Sequence, residues 1–247
     1  DLVLEKLKTD FAQHPELYKQ LNILAYEYGL YGDYDKGKSI CEYVLQNSSD
    51  STSRVKAQTQ IAIWGIDSGD YAAADQAITA LINDYPESNE LCNSLFKIAK
   101  KYDRLENFNK AKSLCHTIAQ KSSDASQTFK AITWAGCMEI KLGNDSAAEQ
   151  IIEGLKSNYT GSQKLYNSIL IFAKDYTDVD KYDKAKSLYQ FIIQDSTDNN
   201  LKLRAQTRVV SCEIKSGNQI AADQAFDSLC AEYDSEDGFV DNVLFIC

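Results

Sequence analysis

The chain has 247 residues and carries 36 Asp and Glu against 26 Lys and Arg, a formal net charge of −10. With 2 Pro, 11 Gly and no alternating Val/Ile/Thr-rich run, the composition favours a mainly helical protein. The acidic balance argues against a general nucleic-acid binder, and no apolar run approaches the roughly 18 residues of a membrane span.

In chain order, the sequence consists of helical repeats. Three stretches align without a gap at separations of 74 residues: GDYDKGKSICEYVLQNSSD (32–50), ENFNKAKSLCHTIAQKSSD (106–124) and DKYDKAKSLYQFIIQDSTD (180–198). Residues 69–85, 143–159 and 217–233 align in the same way, and the two sets match each other at 37 residues. We predict one continuous solenoid domain of alternating odd and even repeats, cut at both ends from within further repeats. Its parts are a partial repeat at 1–17 (a second helix and its loop), six repeats at 18–54, 55–91, 92–128, 129–165, 166–202 and 203–239, and the start of a further repeat at 240–247.

Each repeat is predicted to contain two helices joined by a tight turn. The first helix has apolar residues spaced i, i+3, i+4 and i+7, as at Leu95, Ile98, Ala99 and Tyr102. In four repeats it ends at a glycine that accepts a left-handed conformation: Gly32, Gly69, Gly143 and Gly217. The next residue can cap the second helix in five repeats: Asp33, Asp70, Asn107, Asn144 and Asn218. Only Gly or Ala occurs four residues later, which predicts a close approach of the helices there.

These repeats resemble the tetratricopeptide repeat (TPR) family. In repeat 92–128 the family pattern falls on Leu95, Ile98–Ala99, Tyr102, Ala111, Cys115 and Ile118, and Pro86 retains its proline in repeat 55–91. The resemblance implies an all-α, right-handed α–α superhelix of antiparallel helix pairs, with the first helices lining a concave face. The period of 37 instead of roughly 34 residues predicts longer loops between repeats. Gly65, Glu139 and Glu213 also depart from the family, which has an aromatic residue at that position.

Residues 32–39, GDYDKGKS, match the phosphate-loop pattern G-x-x-x-x-G-K-[ST]. That pattern binds phosphates where a glycine-rich loop follows a strand and opens a helix. The equivalent stretches ENFNKAKS (106–113) and DKYDKAKS (180–187) keep the Lys–Ser pair but lack both glycines. We therefore interpret Gly32 as the turn glycine and Gly37 as a small packing residue, not as parts of a nucleotide cradle.

The TPR resemblance places groove-facing residues at positions 2, 5, 6, 9, 12 and 13 of each repeat. These positions hold eleven Lys or Arg and three Asp, a net +8 in a chain of −10. A basic groove is expected to attract the carboxylates of an acidic peptide, with Phe96 and Trp134 as apolar anchors and Asn93 and Asn167 holding its backbone. The alternative is a solvated helix face, with both aromatic side chains filling the core. The predicted site residues are Asn93, Phe96, Lys97, Lys100, Arg104, Lys130, Trp134, Lys141, Asn167, Lys174, Arg204 and Arg208.

The sequence thus predicts a non-catalytic protein–protein interaction scaffold that binds an extended peptide or a partner helix, with an acidic ligand favoured. The alternative is a structural spacer or self-assembly segment of a larger repeat protein, since apolar Val243, Leu244 and Ile246 would allow stacking or end-to-end self-association. The family's two-carboxylate clamp pattern is absent, so chaperone binding is not predicted. We find no catalytic constellation and no cofactor motif. We expect no nucleic-acid partner and no membrane span.

The seven cysteines (41, 92, 115, 137, 212, 230 and 247) form no C-x-x-C pair, and His14 and His116 have no ligand-type neighbours. We interpret the cysteines as small buried hydrophobes in reduced form and the histidines as surface residues rather than metal ligands. Unpaired cysteines favour a reducing, cytoplasmic compartment, while the start at Asp1 leaves a removed signal peptide open.

Overall fold

A computed structural model describes residues 2–11 and 14–233. Within these ranges the regular secondary structure is entirely α-helical, which confirms the predicted all-α fold of consecutive helix pairs. The thirteen described helices are α1 (Leu2–Asp10), α2 (Leu17–Leu30), α3 (Tyr34–Asn47), α4 (Ser51–Asp67), α5 (Tyr71–Asp84), α6 (Leu91–Arg104), α7 (Phe108–Lys121), α8 (Ala125–Lys141), α9 (Asp145–Tyr159), α10 (Gln163–Asp178), α11 (Tyr182–Asp195), α12 (Asn199–Lys215) and α13 (Gln219–Tyr233). The repeat start predicted at 240–247 lies outside the described residues.

The chain divides into an N-terminal unit, residues 1–131, and a C-terminal unit, residues 132–247. In the N-terminal unit α2 packs on α3, α4 on α5 and α6 on α7, while α4 lies against both α2 and α6. In the C-terminal unit α10 packs on α11, α12 packs on α13, and α10 contacts α12. Within each unit, therefore, the first helices of successive pairs are neighbours and share one face.

The turn inside each helix pair places its middle residue in the left-handed region. Gly32, Gly69, Gly143 and Gly217 have φ between +76° and +79°, which confirms the predicted helix ends. The two repeats without this glycine adopt the same turn at Glu106 (φ +57°) and Asp180 (φ +60°). The turn hydrogen bond is also the same, since Asp33 N donates to Tyr28 O and Asn107 N donates to Tyr102 O, both at 2.9 Å.

Four of the five predicted N-caps are confirmed. Backbone N–H groups three residues on donate to the side chains of Asp33 (3.3 Å), Asp70 (3.0 Å), Asn107 (3.4 Å) and Asn218 (3.3 Å). The prediction for Asn144 is wrong, because its side chain makes no cap hydrogen bond. Asn144 Nδ2 instead donates to Glu139 Oε2 at 2.8 Å. Glu139 stands where the family has an aromatic residue, and its carboxylate binds the amide that would otherwise cap the helix.

The prediction of longer loops between repeats is wrong at all but one connection. From α2 to α13 the helices are joined by three residues each, except for residues 85–90 before α6. The additional residues lengthen the first helices of the even repeats, since α4, α8 and α12 have 17 residues each. A repeated Ser-x-Asp sequence starts these helices early. At each one the Ser Oγ (Ser48, Ser122 or Ser196) accepts a hydrogen bond from the Asp backbone N–H at 3.1 Å, and the Asp side chain (Asp50, Asp124 or Asp198) accepts from the helix's first turn.

GDYDKGKS contains the last two residues of the turn, Gly32 and Asp33, followed by the first six residues of α3. Lys38 and Ser39 are exposed on that helix, and Gly37 is buried. A Cβ at Gly37 would lie 2.7 Å from the Trp64 ring and 3.0 Å from the Ala25 carbonyl oxygen, so even a methyl group crowds this contact. The interpretation of this stretch as a turn and a packing position is confirmed.

The cysteines lie where the repeat pattern predicts them. Cys41, Cys92, Cys115, Cys137 and Cys212 are buried free thiols, and burial raises the pKa of Cys41 and Cys115 to about 12. The interpretation as small buried hydrophobes is confirmed for these five, whereas Cys230 is only half-buried and Cys247 lies outside the described residues. No described helix is both long enough and apolar enough to cross a membrane.

Candidate peptide-binding groove

A groove of about 680 Å³ opens on the shared face of α2, α4 and α6 in the N-terminal unit. We call it the N-terminal groove. Its six basic side chains are Lys19, Lys56, Lys97, Lys100, Lys101 and Arg104. Its other lining residues are Asn22, Ile23, Tyr26, Thr59, Gln60, Ile63 and Ser94. None of these thirteen residues is Asp or Glu, so the lining carries positive charge alone.

Helical spacing explains why these residues meet. On each of the three helices the lining includes residues at i, i+3, i+4 and i+7, which form one stripe on a helix surface. The stripes begin at Lys19 on α2, at Lys56 on α4 and at Lys97 on α6. Because α4 lies between α2 and α6, the three stripes form one continuous surface.

The groove keeps much of its positive charge. Lys19 Nζ pairs with Glu16 at 2.7 Å, which raises the pKa of Lys19, and Lys101 pairs with Asp67. Across residues 2–11 and 14–233, however, no acidic side chain pairs with Lys97 or Arg104. These two exposed cations are therefore available to a ligand.

One buried hydrogen bond among the groove residues links α2 to α4. Asn22 Nδ2 donates to the Ser53 carbonyl oxygen at 3.0 Å, whereas Thr59 Oγ1 donates within α4 to the Val55 carbonyl oxygen at 2.6 Å. The Asn22 Oδ1 atom is buried and has no hydrogen-bond partner, which costs roughly 1–3 kcal/mol.

A second groove, of about 300 Å³, lies in the C-terminal unit. This C-terminal groove is lined by Asn167, Leu170, Ile171, Lys174, Tyr189, Arg204 and Arg208. Lys174 forms an ion pair with Asp178 on the same helix, so part of the positive charge is neutralised. Burial raises the pKa of Tyr189 to about 12, so its phenol is uncharged at neutral pH.

The structure distributes the twelve predicted site residues over several places. Lys97, Lys100 and Arg104 line the N-terminal groove, and Asn167, Lys174, Arg204 and Arg208 line the C-terminal groove. Asn93 is exposed on α6 outside the groove lining, and Trp134 and Lys141 are half-buried on α8. Phe96 is only 5 % exposed and lies beneath Lys130, whose Nζ is 4.5 Å from the ring centroid.

The position rule taken from the TPR resemblance left out Ser94 and Lys101, which both line the N-terminal groove. Lys101 had a usable signal in the sequence, because it stands four residues after Lys97 and therefore lies on the same helix face. Ser94 has a similar signal, because it stands three residues before Lys97 on the same helix.

The chain is similar in fold to solved helical-repeat structures. PilF of Pseudomonas aeruginosa is 13 % identical, with 91 % of this chain and 95 % of that chain covered and a TM-score of 0.47. A tetratricopeptide repeat protein from Parabacteroides merdae is 15 % identical over 98 % and 90 % of the two chains, with a TM-score of 0.46. The TPR domain of P58(IPK) is 14 % identical over 98 % and 72 %, with a TM-score of 0.31. No protein-family model and no curated protein matches the chain. The helix pairs and left-handed turns described above make the described part of this chain a helical repeat.

Proposed function

We propose that the protein is a non-catalytic interaction scaffold whose N-terminal groove holds an extended acidic peptide segment of another protein. The observation that carries this proposal is the lining of the groove, which has six basic side chains and no acidic one in a chain of net charge −10. A surface lined by cations alone attracts carboxylates and repels basic partners.

Size and surface chemistry favour a protein ligand. The groove is open along three helices, and the exposed side chains of Ile23 and Tyr26 lie in the same lining as the cations. Peptides supply carboxylates and apolar side chains together, whereas a nucleic acid supplies phosphates along its whole length. The acidic remainder of the chain would repel such a polyanion beyond the groove.

The test is isothermal titration of the whole chain with a pool of acetylated, amidated acidic peptides and with the matching Asn/Gln pool. We expect the acidic pool alone to bind, and more weakly as salt is raised, because exposed charges are screened. The double variant Lys97→Glu/Arg104→Glu should weaken binding by at least about tenfold, since it reverses the charge of the two unpaired cations.

A matched double variant, Lys38→Glu/Lys121→Glu, makes the same change in net charge at exposed sites on α3 and α7, outside the groove lining. It should bind like the wild type. Equal losses in both variants, or no salt-sensitive binding of the acidic pool, would refute the proposal.

A further inference from the structure

The two edges of the N-terminal groove differ in chemistry. On the α2 edge the apolar side chains of Ile23 and Tyr26 are 49 % and 46 % exposed. On the α6 edge Lys97, Lys100 and Arg104 are exposed, and no acidic side chain in the described part of the chain is paired with Lys97 or Arg104. A ligand that spans the groove therefore meets an apolar surface at one edge and unneutralised positive charge at the other.

The arrangement of the helices sets the length of such a ligand. Because α4 lies between α2 and α6, the two edges are two helix spacings apart. Packed helix axes are about 8–10 Å apart, which places the edges about 16–20 Å from each other. An extended chain rises about 3.3 Å per residue, so about five or six residues cover that distance.

From these contacts we infer that the N-terminal groove recognises a two-part segment, an inference that rests on the proposed function. An apolar side chain packs on Ile23 and Tyr26, and Asp or Glu side chains pair with Lys97 and Arg104. The apolar and acidic residues are separated by about five residues of extended chain. The segment is internal to its protein, and its carboxylates belong to side chains.

The test uses acetylated, amidated peptides in which one Leu and one Asp–Glu pair are separated by spacers of about two, five or nine uncharged residues. The whole chain is titrated with each peptide at low and high salt. We expect the middle spacer to bind about tenfold more tightly than the other two, because only it reaches both edges without slack.

Two variants separate the two parts of the segment. Ile23→Ser/Tyr26→Ser should abolish the spacer preference and lower affinity at both salt concentrations, whereas Lys97→Glu/Arg104→Glu should remove the salt dependence. The control is Tyr71→Ser/Leu105→Ser, which removes two equally exposed apolar side chains outside the groove lining and should change nothing. Circular dichroism melting of every variant checks that the fold is kept.

Each contrary result has a distinct meaning. Equal affinity for all three spacers, or equal binding of a peptide without Leu, would overturn the two-part segment and leave the proposed function standing. Binding that requires a free C-terminal carboxylate would overturn the internal segment. If no acidic peptide binds at low salt, both this inference and the proposed function are wrong.

Discussion

The N-terminal and C-terminal grooves occupy the same register of the repeat and differ in charge. At the separation of 74 residues, Lys97 corresponds to Ile171 and Arg104 to Asp178, while Lys100 and Lys174 are both lysine. The C-terminal groove thus has an aspartate where the N-terminal groove has Arg104. Asp178 also pairs with Lys174 and neutralises the charge of that lysine. The comparison teaches that the helix pairs determine where a groove forms, whereas the exposed side chains on its helices determine how many cations it presents.

The largest expected effect comes from giving the C-terminal groove the N-terminal charges. In the Lys97→Glu/Arg104→Glu background, Ile171→Lys/Asp178→Arg should restore binding of the acidic peptide pool by about tenfold, because it adds two cations to the C-terminal groove. The fold should tolerate this change, because the ion pair between Lys174 and Asp178 is exposed and stabilises little. Isothermal titration measures the affinity and the number of sites.

Two single changes in that background show which of the substitutions acts. Asp178→Asn removes the neutralising carboxylate without adding a cation and should restore binding only weakly. Ile171→Lys alone should restore binding to an extent between those of Asp178→Asn and the double change. If the double change restores no binding, these two positions do not explain the difference between the grooves.

A smaller effect concerns the helix packing beneath the two grooves, where Gly37 corresponds to Ala185. Gly37→Ala gains roughly 1 kcal/mol of helix propensity but places its methyl group 2.7 Å from the Trp64 ring. Because overpacking typically costs about 1–3 kcal/mol, we expect a net destabilisation of about 1 kcal/mol. Ala185→Gly should also destabilise by about 1–2 kcal/mol, through lost helix propensity and a lost buried methyl group. The midpoint of urea unfolding measures both, and a stabilised Gly37→Ala variant would contradict the close approach.

The smallest effect contrasts Lys101, which forms an ion pair with Asp67, with its counterpart Asp175. Burial raises the pKa of the Asp175 carboxyl above its ordinary value of 3.8, with repulsion from Asp178 in the same direction, while Cys137, Lys141 and Lys174 oppose the shift. The folded state thus disfavours the charged carboxylate, which lowers the stability of the protein. This loss of stability is present above the folded pKa and disappears as the pH falls through that value towards 3.8.

Asp175→Asn should therefore stabilise the protein at neutral pH, and the advantage should shrink on acidification. Urea unfolding at several pH values measures this trend. Asp227→Asn is the control, because it removes a carboxylate at an exposed site on α13 and should show no such trend. A stability difference for Asp175→Asn that is independent of pH would contradict the role of burial.

Sequence reasoning succeeded where the determinants are local. The left-handed turn at Gly32 and the N-cap at Asp33 depend on the residue itself and on the next turn of helix. The failures depend on more distant groups, or on a local signal that was not recognised. Asn144 is diverted by the carboxylate of Glu139, five residues away, and the Ser-x-Asp helix starts were misinterpreted as longer loops.

The groove could be predicted only in outline. Helical periodicity and the TPR resemblance place Lys97, Lys100 and Arg104 on a common face, and the structure brings them together. Phe96 is buried and Lys130 lies over its ring, a contact between two helices that no spacing within one helix predicts. The unpartnered Asn22 oxygen is equally invisible in the sequence, because it results from the bond to Ser53 on the neighbouring helix.

The two turns built without glycine have a consequence for engineering this scaffold. Glu106 and Asp180 adopt the left-handed conformation that glycine adopts at the other four turns, and a side chain in that conformation costs about 1–2 kcal/mol. The fold therefore holds a reserve of stability at two exposed corners outside both groove linings. A designer can use that reserve to offset destabilising changes in a groove, so recognition can be rebuilt without redesigning the core.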